Sequence, residues 1–182
     1  AGTDRLRRII NKGLTDLSIF STLEKVFEGG WDDVKLYFMF GLPDEKESDL
    51  IGISQLVNEG LQIGKKIRGK RVSIHLNLSA FVPKPHTPFQ WMGQNSLEEF
   101  EEKIQRIKAG FSRDRRLIRM NWSDFKESTL EAVLSRGDRR LSRVIEKAYH
   151  LGQIMDGWRE FFSFERWKLA FEEVGLDYHF YS

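Results

Sequence analysis

Three segments of the sequence carry residue types suited to holding a small polar ligand. They are residues 2–5 (Gly-Thr-Asp-Arg), residues 40–45 (Phe-Gly-Leu-Pro-Asp-Glu) and residues 77–89, which begin Asn-Leu-Ser-Ala-Phe and then contain three prolines. Together they offer hydroxyl, guanidinium and amide groups, and a glycine that lets backbone approach a ligand closely. His75, just before the third segment, is a possible general base. However, a lone histidine is more often a hydrogen-bonded core residue.

The elements around these segments alternate between strands and helices. Residues 34–40 are almost wholly apolar, which predicts a strand buried on both faces, whereas residues 71–80 alternate apolar and polar, which predicts a strand with one polar face. Helical patterns occupy residues 3–13, 15–30, 49–67 and 96–107. Strand, helix, strand, helix predicts parallel pairing, and parallel α/β folds bind ligands beyond the carboxyl ends of their strands. We therefore expect the three segments to meet at one edge.

The remainder of the chain predicts one further strand and then helices. Residues 117–122 are a short strand candidate, and helical patterns follow at residues 124–135, 138–151 and 164–174. The predicted fold class is α/β, with parallel strands within residues 1–122 and a helical extension over residues 123–182.

Composition excludes several classes of function. The 182 residues contain no cysteine, which excludes disulfides, thiolate zinc sites, a cysteine nucleophile and any cysteine-ligated iron–sulfur cluster built from this chain alone. The net charge of +2 is too small to predict a nucleic-acid partner, and the basic run at residues 65–71 is interpreted as a solvated helix end. No apolar run approaches the roughly 20 residues of a membrane span, and no leader is recognisable. We expect a cytoplasmic protein without a membrane partner, and the opening residues predict a piece of a longer protein.

At the three segments the chain resembles the radical S-adenosylmethionine (SAM) superfamily, in the branch with cobalamin-binding-type regions and methylthiotransferase-like barrels. The resemblance covers nearly the whole chain, and residues 130–140 and 158–162 resemble one functionally uncharacterised subfamily of that branch. It implies the carboxy-terminal part of a (β/α)6-type partial TIM barrel followed by a helical extension. The defining three-cysteine loop of the family is absent, so the resemblance extends to the SAM side of the barrel and not to its cluster side.

The resemblance also implies roles for individual residues. Thr3 and Arg5 occupy positions that reach the ribose and carboxylate of SAM, Met39 and Gly41 occupy those that line adenine, and Glu45 matches the acidic position of the fifth-strand motif. Asn77 and its neighbours would complete this wall. The implied cofactor-binding residues are Thr3, Arg5, Tyr37, Met39, Gly41, Asn77, Ser79 and Phe81. The polar face Ser73, His75, Asn77 and Ser79 is expected to point into the barrel, with Leu76 and Leu78 on the opposite face.

The implied function is that of a fragment of a radical SAM enzyme, inactive alone. The intact protein would bind SAM and a 4Fe-4S cluster, with cobalamin as a further possible cofactor, and this chain contains no predicted catalytic residue or metal ligand. Its expected partners are the missing amino-terminal half of the barrel and, through an unpaired strand edge, a second copy. Two alternatives stay open: a non-enzymatic RNA- or protein-interaction module, and a different α/β barrel enzyme acting on a phosphate-bearing substrate.

Overall fold

The computed structural model describes residues 1–111 and 115–182 and divides the chain into two units. The first unit, residues 1–81 and 95–123, contains the sheet, and the second, residues 82–94 and 124–182, is helical. Residues 82–94 thus group with the helices, whereas the predicted division places them with residues 1–122.

Three parallel strands form the sheet of the first unit. They are β1 (Asp33–Phe40), β2 (Ser73–Ala80) and β3 (Ile118–Trp122), in the order β1-β2-β3. Asp33 lies opposite Ser73, and Ile74 lies opposite Ile118. The predicted α/β class with parallel pairing is confirmed.

The α-helices among the described residues of the first unit are α1 (Asp4–Ile9), α2 (Asp16–Glu28), α3 (Glu47–Arg68) and α4 (Leu97–Ala109). The side chains of Thr3, Thr15 and Ser96 cap α1, α2 and α4 by accepting a backbone N–H of the first turn, and of these the sequence pattern predicts the Thr15 and Ser96 caps. Helix α1 ends before the predicted residue 13. Asn11 adopts a left-handed φ of 54°, a conformation that a helix does not continue through. Short 3₁₀ turns, Gly69–Arg71 and Arg115–Leu117, precede β2 and β3.

The prediction that β1 is buried on both faces is wrong. Phe38 and Phe40 are buried, but Tyr37 and Met39 are exposed and belong to the opposite face of the strand. The helix-facing side of the sheet is defined by Ile74, whose Cδ1 lies 3.6 Å from the place where a Cβ on Gly60 of α3 would stand. A run of apolar residues indicates a hydrophobic strand, but burial also requires another element to cover each face of the sheet. In this unit the second face is open.

Glycines let α3 approach α2 and the sheet. A Cβ on Gly60 would stand 2.8 Å from Leu23, and one on Gly64 would stand 2.7 Å from Val72 and 2.8 Å from the ring of Phe27. Helix α3 therefore lies closer to its neighbours than a side chain at either position would allow.

The second unit consists of α5 (Phe125–Arg136), α6 (Leu141–His150), α7 (Phe164–Val174) and a 3₁₀ turn at Tyr178–Phe180. Arg136 connects its loops by donating to the carbonyls of Met92 at 2.8 Å and Tyr181 at 2.9 Å. Among the described residues of the whole chain, no helix combines the length and apolar character needed to cross a bilayer.

Candidate functional site

The first two predicted segments and the start of the third, residues 77–81, meet at the carboxyl edge of the sheet. Arg5, from the first segment, donates from Nη2 to the backbone carbonyl of Asp44 in the second, at 2.9 Å. The third segment starts beside the end of β1, where the N–H of Phe81 donates to the carbonyl of Phe40 at 2.9 Å. The convergence expected from parallel pairing is therefore present.

Asp49, in the first turn of α3, connects the first segment to the second. Its carboxylate accepts hydrogen bonds from the hydroxyl of Thr3, the guanidinium of Arg5 and the backbone N–H of Lys46, and its side chain is only 1% exposed. Burial alone would raise the pKa of Asp49, but the bonds from Thr3, Lys46 and Arg5 outweigh it and lower that pKa below its ordinary value. Asp49 is thus an ionised anchor for two of the predicted SAM-binding residues.

Close backbone packing makes this anchor possible. A Cβ on Gly2 would stand 2.1 Å from the carbonyl oxygen of Asp49, and a Cβ on Gly52 would stand 2.8 Å from the carbonyl oxygen of Gly2. The residues before α1 therefore lie directly against the backbone of α3, which places Thr3 within reach of Asp49. Sequence reasoning did not identify Asp49; its acidic character in a first helical turn was the available signal.

Arg5 retains an accessible surface although it is anchored. Its side chain is 38% exposed while it bonds Asp49 and the Asp44 carbonyl. A guanidinium has five N–H donors, so these two partners leave donors for a ligand carboxylate. Thr3 is more fully committed, because its hydroxyl donates to Asp49 and accepts from the N–H of Leu6 at 3.3 Å.

The turn after β1 is fixed by a buried ion pair. The N–H of Gly41 donates to both carboxylate oxygens of Glu45, at 3.0 and 2.9 Å. Lys103 of α4 bridges Glu45 at 2.8 Å and the side-chain oxygen of Asn95 at 2.9 Å, while the Glu45 side chain is 2% exposed. Glu45, which the sequence resemblance matches to an acidic motif position, holds the backbone of Gly41 in place.

Gly41 is required by its own conformation and neighbours. Its φ is +75°, and a Cβ there would stand 2.5 Å from Cε1 of Phe100 and 2.8 Å from Oδ1 of Asn95. The side of Gly41 toward which a side chain would project is therefore filled by protein atoms. The predicted approach of Gly41 to adenine stays a prediction.

Four predicted residues share the open face of the sheet. Tyr37 lies opposite Asn77, and Met39 lies opposite Ser79. Tyr37 is 72% exposed and Met39 is 40% exposed, so an aromatic ring and a thioether border an amide and a hydroxyl on one accessible surface. Phe81 differs from these residues, because it is buried and continues the pairing with β1 through its backbone.

The amino-terminal half of the same face carries basic residues. Lys35, His75 and Arg119 lie opposite one another on the three strands. Nε2 of His75 is 4.0 Å from a carboxylate oxygen of Asp33, which also accepts a hydrogen bond from Ser73. No carboxylate lies near His75 along the chain, because it is the pairing of β1 with β2 that brings Asp33 there. Among the residues that the structure describes, no group of three or more acidic, histidine or cysteine side chains is arranged to hold a metal ion.

Comparison with known proteins finds one relative of undetermined function. An uncharacterised protein of the archaeon Methanocaldococcus jannaschii, MJ0966, is 27% identical over 180 residues, a match that covers 97% of this chain and 37% of the relative. This chain therefore spans little more than a third of that protein. No family model matches the chain, and no solved structure matches it.

Proposed function

We propose that this chain forms the SAM-binding wall of a radical SAM enzyme and is the carboxy-terminal part of its partial (β/α)6 barrel. The observation that carries the proposal is the open sheet face. It presents Tyr37 and Met39 beside Asn77 and Ser79, on the sheet whose carboxyl edge meets Arg5.

The sheet supports the barrel part of the proposal by its order and its single covered face. Sequential strands lie side by side in parallel, as in a barrel, whereas a doubly wound sheet is covered by helices on both faces. Leu76 and Leu78 are buried on the same side as Ile74, the side that meets α3. The polar residues of β2 consequently lie on the opposite side of the sheet, which would be the interior of the proposed barrel.

The residue types of the open face suit SAM. The ligand has an aromatic base, a ribose, a sulfonium and an amino-acid end, and therefore needs an apolar shelf, hydrogen-bonding groups and a cation for its carboxylate. Met39 and Tyr37 offer the shelf, Asn77 and Ser79 offer hydrogen bonds, and Arg5 offers the cation.

The cluster side does not fit this chain. In the superfamily that the chain resembles, an iron–sulfur cluster supplies the electron that cleaves SAM, and cysteine thiolates hold it. The chain has no cysteine, so the cluster ligands belong to residues outside it and no cleavage step is assigned to these residues.

A methyl NMR titration tests the proposal. We expect the methyl signal of Met39 to shift when the chain is titrated with SAM, with a dissociation constant on the order of 1 mM or weaker because only one wall is present. Asn77→Ala should reduce the affinity several-fold. Tyr149→Ala, which removes an exposed ring from α6 of the second unit, should leave the affinity unchanged.

Two results would contradict the proposal. One is a Met39 signal that stays fixed up to roughly 10 mM SAM, a concentration well above the expected dissociation constant. The other is a shift that Asn77→Ala and Tyr149→Ala leave equally unchanged.

A further inference from the structure

The row of Lys35, His75 and Arg119 conflicts with the usual pairing of charges across strands. The register places the three residues side by side on one face, with neighbouring strands roughly 4.8 Å apart. Two cations, Lys35 on β1 and Arg119 on β3, thus flank His75 on one face, and like charges close together on a sheet destabilise it. Such a local conflict calls for a compensating partner.

Acidic side chains neutralise the positive charge of this row only in part. Asp33, which is 4.0 Å from Nε2 of His75, is also hydrogen-bonded to Ser73. Lys35 and Arg119 are exposed, and within residues 1–111 and 115–182 no ion pair joins either of them to a carboxylate. By contrast, Lys103 of the same unit is paired with an acid.

Further positive charge adjoins the row. Lys70 and Arg71 lie just before β2, Arg116 lies just before β3, and all three are exposed. These residues and the row gather positive charge at the amino-terminal end of the sheet, where Asp32 and Asp33 are the neighbouring acids, although the whole chain carries a net charge of only +2. A local concentration of this kind attracts anions even when the whole molecule is nearly neutral.

We propose that Lys35, His75 and Arg119 bind a phosphoryl group of a ligand that lies on the open face. A phosphate offers up to two negative charges and several acceptor oxygens, enough for an ammonium, an imidazole and a guanidinium at once. A carboxylate has one charge and two oxygens and would leave part of the row uncompensated. The row is one step along the strands from Tyr37, Asn77 and Asn121. If the proposed function holds, the phosphoryl group therefore belongs to the substrate and lies next to the SAM wall.

Titration of the chain with inorganic phosphate, at constant ionic strength maintained with chloride, tests the inference. We expect the imidazole signals of His75 to shift with a millimolar dissociation constant. The double variant Lys35→Gln/Arg119→Gln should weaken binding by about tenfold or more, which corresponds to about 1.4 kcal/mol. A matched control, Lys25→Gln/Arg143→Gln, removes the same charges from exposed sites on α2 and α6 and should change the affinity less than about twofold.

Two further measurements make the test decisive. Arg119→Lys retains the positive charge and should retain most of the phosphate binding. If the loss in the double variant came from a disturbed structure, keeping the charge at position 119 would not restore binding.

Titration with a single-stranded oligouridylate distinguishes a nucleic-acid ligand from a small phosphorylated one. Binding far tighter than that of phosphate, with steep salt dependence and loss in the double variant, identifies a nucleic-acid ligand of the row. Binding no tighter than that of phosphate argues against a nucleic-acid ligand and is the result expected for a small phosphorylated substrate.

The inference is overturned if His75 stays unshifted up to roughly 50 mM phosphate, far above a millimolar dissociation constant. It is equally overturned if the control variant loses as much affinity as the row variant. SAM is absent from this titration, so its failure would leave the Met39 test of the proposed function standing, and the reverse also holds.

Discussion

Substitution of Gly41 by alanine tests how tightly the turn after β1 is built. The φ of +75° places an alanine in the left-handed region, at a cost of about 1 kcal/mol. The new Cβ would also stand 2.5 Å from Cε1 of Phe100. That ring is fully buried and packs edge-on against Phe40 at 5.5 Å, so it cannot move aside freely. Overpacking of this kind costs about 1–3 kcal/mol, and the total expected loss is about 2–4 kcal/mol in the free energy of unfolding.

Urea denaturation measures this loss, with the exchange rate of the Phe81 N–H, which bonds the carbonyl of Phe40, as a local probe of the first unit. Gly30→Ala is the matched control. Its φ is +97° and nothing lies within 4 Å of the added carbon, so only the conformational cost applies. Adding Phe100→Leu to Gly41→Ala should make the two changes less than additive, since the leucine relieves the contact. If Gly41→Ala destabilises the protein no more than Gly30→Ala does, the contact with Phe100 does not contribute the expected cost.

Three further predictions follow from the described contacts. Asp49→Asn should reduce the free energy of unfolding by about 2–4 kcal/mol, because it removes the negative charge that Arg5 and Thr3 bond. Thr3→Val should reduce it by about 1 kcal/mol. A loss below about 0.5 kcal/mol for Asp49→Asn in urea denaturation would contradict the role of Asp49 as an anchor. Hydrogen bonding from Arg140 lowers the pKa of Asp138 from 3.8 to about 2. The ionised carboxylate therefore stabilises the folded protein fully above pH 3.8, and this contribution is lost as the pH falls through about 2. An NMR titration of Asp138 should show a pKa of about 2 in the wild type and a return toward 3.8 in Arg140→Gln. The chain should self-associate through the free edge of β1, and light scattering that finds only monomer at ~0.1 mM would count against that.

Local patterns were sufficient to predict most of the secondary structure. The period-2 alternation of β2 and the hydroxyl caps of α2 and α4 depend on residues a few positions apart, and the structure shows them where the sequence indicates. The order of elements was enough to predict that the first two segments and residues 77–81 meet. These features need no knowledge of distant contacts.

The parts that sequence reasoning missed depend on residues far apart in the chain. Asp49 meets Thr3 across 46 residues, and Lys103 meets Glu45 across 58. Their charges are visible in the sequence, but their partners are set by tertiary packing. The open face of β1 was missed for a related reason, since residues 34–40 do not specify what covers them.

The glycines of α3 bear on how this protein folds. Gly52, Gly60 and Gly64 all lie inside the helix, and each lowers its intrinsic helicity by about 1 kcal/mol relative to alanine. A peptide of residues 47–68 should therefore be largely unstructured in water, despite its 22 residues. The longest of the described helices would thus form only together with its contacts to α2 and the strands, and not ahead of them.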